Sequence, residues 1–337
     1  MRNTTRQQYN KYLSAIAQLN GVDIDAVISK FSVDPTVQQT LESKVQESSA
    51  FLKAVNIMGV TEQEGEALGL GISGPIAGTQ NTDDGERQTR DVLALDGTGY
   101  RCEQTNYDTH VKYATLDSWA KFPDFQTRLR DAIVQRIALD RMMIGFNGVS
   151  RAATSNRTAN PLLQDVNIGW LQKLRSTAPQ RWMKEGATAG KIKVGATGDY
   201  KTLDALVYDA VSNLIEPWFR EDTQLVAITG RQLMADKLFP LVNTIQAPTE
   251  QKAAQDLIVS QKRLGNQQAV QVPFFPANAI LITRLDNLSI YWQEGSQRRS
   301  VIDNPKRDRI ETYQSSNDGF LLEDYGCAAL IENIELE

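Results

Sequence analysis

A reaction centre assembled from this chain would have very few parts to draw on. There is one histidine in 337 residues, His110, set in an alternating run beside Asp108. No G-x-S-x-G elbow or catalytic-cysteine motif accompanies it, so hydrolase chemistry would rest on a single imidazole. A strand histidine at a surface or interface is the reading its surroundings support. Gly69-Leu-Gly-Ile-Ser-Gly74 fits the G-x-G-x-x-G pattern, which holds a dinucleotide pyrophosphate only when a buried strand delivers the glycines to a helix N-terminus. Here Glu62, Glu64 and Glu66 stand where that strand belongs, and Pro75 and Gly78 where the helix should begin, so no cofactor is expected. Cys102 and Cys327 lie far apart and match no metal spacing, which makes them free thiols. The adjacent acids Asp83-Asp84 and Glu323-Asp324 would point to opposite faces of a strand, as solvated or contacting charge and not as an acid and base pair. Arg298-Arg299 and Lys306-Arg307-Asp308-Arg309 are short basic runs that read as salt-bridged or solvated loop. No catalytic or metal set emerges, and the chain is not expected to be an enzyme.

The composition is that of an ordinary water-facing protein, 41% hydrophobic and 23% charged, with enough length for two domains or one domain with large insertions. A net charge of −5 and a pI near 5.2 argue against a surface built to coat phosphate backbones. Arg2 and Arg6 resemble the basic start of a secretory signal, but Gln7, Gln8, Asn10 and Lys11 follow in place of an apolar run. No stretch approaches the roughly 18 apolar residues of a membrane span, so no membrane role is expected and the protein should stay where it is made.

The element on which the rest is hung is the helix expected over 124–146. Phe125, Leu129, Ile133 and Ile137 form one apolar row and Ala132, Leu139, Met143 and Phe146 another, with Asp124, Arg128, Asp131 and Gln135 opposite. At about 1.5 Å per residue it is roughly 35 Å long, with Pro123 before it and Gly145 and Gly148 as its stop signals. Ahead of it come a helix carrying Tyr9, Leu13, Ile16 and Leu19 to Gly21, a short helical piece at Ile24–Ile28, and a break at Phe31-Ser32-Val33-Asp34-Pro35. Asp34 is the cap and Pro35 the first turn of a further helix bearing Leu41, Val45, Ser48, Leu52 and Val55. Two heptads are too few for a coiled coil, so that helix should lie on a neighbouring surface. From Gly59 to Gly99, nine of the 22 glycines fall in 41 residues. Alternating runs at Val55–Val60 and Tyr107–Tyr113 flank this stretch, which predicts a long two-stranded hairpin with a loose tip around Asn81–Arg90; disorder or a lid is the alternative. A lone hairpin is marginal in water and should find partners outside its own domain. Beyond the long helix, Val166–Thr177 reads as helix, Gly186, Gly190, Gly195 and Gly198 as a flexible crossing, and Thr202 as the cap of a helix to Leu214. Strands follow at Leu225–Thr229, Ala269–Val272, Ala279–Thr283 and Leu288–Trp292, with helices at Arg231–Phe239 and Glu250–Ser260. The tail returns to strands at Arg309–Tyr313, Phe320–Glu323 and Cys327–Ile334. Mixed elements in this order make an α+β chain.

That order of parts, together with particular blocks, resembles the major capsid proteins of P2-like tailed phages. The blocks are Asn20-Gly21, Gln46-Glu-Ser-Ser49, Gly145-Phe-Asn-Gly-Val149, Asn160–Val166 with Gly169–Gln172, Leu214–Trp218, Gly230-Arg-Gln232, and Ser260–Arg263 with Asn287–Tyr291. The likeness runs over nearly the whole chain and implies an HK97-like phage capsid fold: a peripheral domain with a spine helix, an axial domain, an extended hairpin loop and a helical arm. It implies an arm over 1–54, a hairpin loop over 55–113, peripheral segments over 114–198 and 293–337, and an axial domain over 199–292. The function implied is a subunit that assembles through hexamers and pentamers into an icosahedral shell around double-stranded DNA, held non-specifically. The partners implied are a scaffold protein with a capsid protease and a portal protein, with assembly in the host bacterial cytoplasm and residence in the virion. Removal of 1–31 by a cut at Phe31 and Ser32 is expected. Shell contacts are expected between the acidic Asp83, Asp84 and Glu86 near the hairpin tip and basic residues such as Arg298, Arg299 or Arg307 of an adjacent subunit, with Arg87 and Arg90 also among the contact residues. An encapsulin-type compartment shell, another virion structural protein such as a tail-tube subunit, and a dinucleotide-binding enzyme are the competing readings.

Overall fold

A computed structural model describes residues 1–72, 77, 79, 93–119, 125–235 and 263–336. The chain opens with α1 (Asn3–Asn20), closed by Gly21 in the left-handed region at φ 61°, and α2 (Ile24–Ile28). The buried face of α1 is Tyr9, Leu13, Ile16 and Ala17; Leu19, expected among them, is 67% exposed. A two-residue strand, β1 (Phe31–Ser32), leads to α3 (Pro35–Glu47), whose cap is the one expected, the Asp34 carboxylate accepting from the Thr36 N–H at 2.8 Å. The single helix expected to reach Val55 is broken. The Ser48 hydroxyl donates to the Val45 carbonyl, and Ser49 becomes the cap of a separate α4 (Ala50–Ala54), because paired serines offer the backbone alternative hydrogen bonds.

The next strand, β2 (Asn56–Val60), does not continue into the hairpin. That hairpin is β3 (Glu64–Ile72) against β4 (Leu93–Arg101), antiparallel from Glu64↔Arg101 to Ile72↔Leu93. The dinucleotide-like glycines Gly69 and Gly71 lie inside this paired strand, a setting that presents no helix N-terminus to a phosphate. The run after the hairpin forms β5 (Glu103–Asn106) and β6 (Thr109–Lys112), then α5 (Tyr113–Trp119). The long helix α6 spans Phe125–Asn147. It is two-faced only in its first half, where Asp131, Gln135 and Arg136 are exposed and Val134 is buried; Ala132, expected in an apolar row, is exposed, and from Arg141 to Phe146 every residue is buried. Gly145 does not end it. A Cβ there would lie 2.3 Å from the Trp170 ring, so this glycine admits α7 (Trp170–Thr177), which begins four residues later than expected.

After β7 (Trp182–Met183), the glycine-marked crossing contains β8 (Ile192–Val194), and its turn is tied by the Asp199 carboxylate, which accepts from the Ala187 and Lys193 N–H groups at 2.8 and 2.9 Å. These two bonds hold the Asp199 carboxyl below the ordinary range. Thr202 caps α8 (Leu203–Leu214) through the Ala205 N–H. There follow β9 (Val226–Thr229), a helical stretch at 231–235, β10 (Arg263–Leu264), β11 (Gln267–Gln271), β12 (Ile280–Thr283), β13 (Leu288–Gln293) and β14 (Arg298–Asn304). The helix expected at Glu250–Ser260 lies outside the described residues. The tail holds β15 (Arg309–Leu322), one strand where two were expected, then β16 (Ala329–Ile331) and β17 (Ile334–Leu336).

Two sheets share the main core. In the seven-stranded one, β15 is the axis: β14 and β13 run along one edge, β6 and β5 along the other. The far side of β14 and β13 is capped by the N-terminal segment, β1 antiparallel to β14 and β2 parallel to β13. The six-stranded sheet has the order β10-β11-β9-β12-β16-β7, and β8 pairs with β17 separately. Thus β13 leaves the segment 199–292 for the other sheet, while β16 and β7 enter from outside it. Between the sheets, Phe146 and Trp170 stack edge to face at 5.2 Å, flanked by Phe51, Phe275 and Phe320; contacts of this geometry add to the burial of the rings themselves. A second core joins α8 to the six-stranded sheet, and a third joins the arm to β14 and β15.

Candidate arm junction and assembly surfaces

The two residues singled out as a cutting point, Phe31 and Ser32, form the strand that caps the outer edge of β14. Their partners in register are Arg299 and Arg298, two of the three arginines expected to reach a neighbouring subunit. In this chain both arginines serve the arm. Arg298 donates to the Ser32 hydroxyl at 2.8 Å and the Gly295 carbonyl at 2.6 Å, and Arg299 donates to the Tyr12 hydroxyl at 2.9 Å. Arg307 sits apart and exposed on the turn between β14 and β15, before Asp308 at φ 48°. Asp83, Asp84, Glu86, Arg87 and Arg90 lie outside the described residues.

The arm is seated by a small core of its own. Tyr9, Leu13, Ile16, Ala17, Val27, Phe31 and Val33 are buried with Tyr113, Val301 and Ile310. Around this core, Asp117 accepts from the Thr5 hydroxyl at 2.6 Å and the Arg2 N–H at 3.0 Å, which lowers its pKa. Asp303 accepts from the Arg6 guanidinium and the Tyr113 hydroxyl. The Tyr113 hydroxyl is pushed up to about 12 by desolvation and by that carboxylate.

A second polar cluster was not foreseen. Arg141, 1% exposed inside α6, is held on one side by Glu42 of α3 and on the other by Asp318 of β15, with its Nη2 at 3.0 Å from Glu42 Oε1 and from Asp318 Oδ1. One cation faces two carboxylates, and Tyr107 and Ser316 donate to Asp318 at 3.0 and 3.1 Å. Burial pushes the Glu42 carboxyl up although Arg141 pulls it down, and it drives the Tyr107 hydroxyl well above the phenol range. The cluster fixes α3 to the long helix and the sheet. Its three charged members, Arg141, Glu42 and Asp318, are all buried, which fits a structural role.

The remaining reactive residues are scattered. His110 is exposed in β6, opposite Glu311. Cys102 and Cys327 are free and buried, and burial raises their thiols to about 12 and about 11, which keeps them protonated near neutrality. Glu323 accepts from Tyr291 at 2.9 Å while Asp324 caps the Gly326 N–H at 2.6 Å, two unrelated structural roles. Among the described residues no group of three metal-ligating side chains gathers, and no helix is long and apolar enough to cross a membrane. Exposed apolar side chains, by contrast, stand at several places on the surface, with Tyr208 at 67% and Trp218 at 56%.

Residues 8–334 match the family described as phage major capsid protein, P2 family. The capsid protein of Escherichia phage P2 is 52% identical over all of this chain and 96% of its own length, and the major capsid protein of Serratia phage KSP20 is 43% identical over 99% and 97%. A chain of the satellite phage P4 procapsid, solved with its size-determination protein, superposes with a TM-score of 0.82 at 49% identity, covering all of this chain and 99% of that one.

Proposed function

This chain belongs to the P2 family of phage major capsid proteins, with the HK97-like fold and a structural, not enzymatic, role in the virion, and from that premise we propose how it is built to assemble and mature. Copies associate through hexamers and pentamers into a closed icosahedral shell that holds double-stranded DNA loosely, as a net charge of −5 suits. The spine helix α6 carries the peripheral part, α8 with its sheet the axial part that meets its copies around the symmetry axes, and the β3–β4 hairpin reaches over a neighbour. Each contact can be weak because each subunit makes many. Scaffold protein, capsid protease and a portal are the helpers, acting in the host cytoplasm.

We place the maturation cut at Phe31–Ser32. One observation carries this reading: the buried apolar side chains of residues 1–33 form a cluster separate from the main core, whose first member is Val45. Removing residues 1–31 therefore costs the body of the subunit none of the buried residues of the two large cores. Because a strand of backbone hydrogen bonds covers the bond, the protease must meet it in a precursor in which β1 has let go of β14. The test is co-expression of the chain with the scaffold and protease of the same phage, followed by electron microscopy and intact mass. Closed shells whose subunit begins at Ser32 are expected; shells of full-length subunit refute the cut, and failure to form shells refutes the assembly reading.

A further inference from the structure

The arm is held by contacts that do not depend on its being joined to the rest of the chain. Most of what seats it lies upstream of residue 28: the apolar side chains Tyr9, Leu13, Ile16, Ala17 and Val27, the Thr5 and Arg2 bonds to Asp117, the Arg6 pair with Asp303, the Tyr12 hydroxyl under Arg299, and the Asn20 carboxamide oxygen, which accepts from the Asp34 N–H at 3.1 Å; beyond it lie Phe31, Val33 and the pairing of β1 with β14. Ile28, Ser29 and Lys30, which carry the chain from α2 to β1, are exposed and seat nothing. On the receiving side, Tyr113, Val301 and Ile310 give an apolar floor between two carboxylates, Asp117 and Asp303. That is the layout of a peptide groove beside the sheet edge that β1 caps, with an amphipathic helix lying on it.

Resting on the reading that the arm is cut away, we propose that this groove is a binding site for the arm as a separate peptide, so that cutting and release are two steps. Severing the chain removes the effective concentration that the covalent link supplies but breaks none of the contacts named above. The cut arm stays seated on the Tyr113, Val301 and Ile310 floor until something displaces it.

A specific protease site introduced at Ser29-Lys30 in the full chain decides the matter. After digestion, the fragment of residues 1–29 is expected to co-elute with the body on gel filtration. With Leu13→Ala and Ile16→Ala together, retained fragment should fall by about tenfold or more, the effect of a loss of ~1.4 kcal/mol in affinity. Both changes are in the arm, so the body's two large cores are untouched. Separate elution of the unaltered fragment, or retention indifferent to the double substitution, overturns the proposal. Because the cut is engineered, the result stands whether or not the natural protease acts at Phe31–Ser32; absence of natural cutting would sink only that earlier reading.

Discussion

Arg141 shows how one residue can join three elements. It continues the every-fourth-residue row Leu129, Ile133, Ile137, and at that point the row delivers a guanidinium to the centre of the protein, where Glu42 and Asp318 meet it. A charge interrupting an apolar row was a sign that a buried partner must exist; which acids answered it, 99 and 177 positions away, was not readable. The two ways of breaking the cluster differ. Arg141→Met leaves two buried carboxylates facing each other and should lower stability by about 3–5 kcal/mol, the usual result of orphaning buried charge. Glu42→Gln leaves one cation with one carboxylate and should cost much less. Denaturant unfolding of the two variants checks this; equal losses would mean that the charge balance is not what the cluster provides.

At the scale of elements, the contact of α6 with α7 depends on absent atoms. Gly145 lets the Trp170 ring lie where a Cβ would be, and Gly169 lets its own backbone lie against the carbonyls of Ile144 and Gly145. Trp170 cannot yield easily, since its Nε1 donates to the Ser289 carbonyl at 2.9 Å and its ring is wedged between Phe146 and Phe320. Gly145→Ala should therefore cost about 1–3 kcal/mol as overpacking, even though alanine is the better helix former. A thermal or denaturant midpoint equal to the parent's would show that the ring has room. The sequence suggested a stop at Gly145 because glycine commonly ends helices; the true reason for glycine lies on the neighbouring helix.

For the whole molecule, the exposed Arg307 at the β14–β15 turn is the arginine of the expected trio with no role in seating the arm. We therefore direct the acidic hairpin residues Asp83, Asp84 and Glu86 of one copy chiefly at Arg307 of the next. Changing all three acids to lysine should block shell closure while leaving the subunit's unfolding transition unchanged; closed shells of normal size by electron microscopy would defeat the pairing. What the chain's order of residues determined by itself was local: the Asp34 and Thr202 caps, the left-handed Gly21, and the positions of β9, β11, β12 and β13. Each follows from residues a few positions apart, whose hydrogen bonds and side-chain period are set by covalent proximity. Only the tertiary structure decided that β1 and β2 cap the β14–β13 edge, that β13 and β16 trade sheets across the expected domain boundary, and that Arg141 is a hub. Those outcomes depend on which apolar faces and buried charges find each other across hundreds of residues, and no local period encodes such a choice.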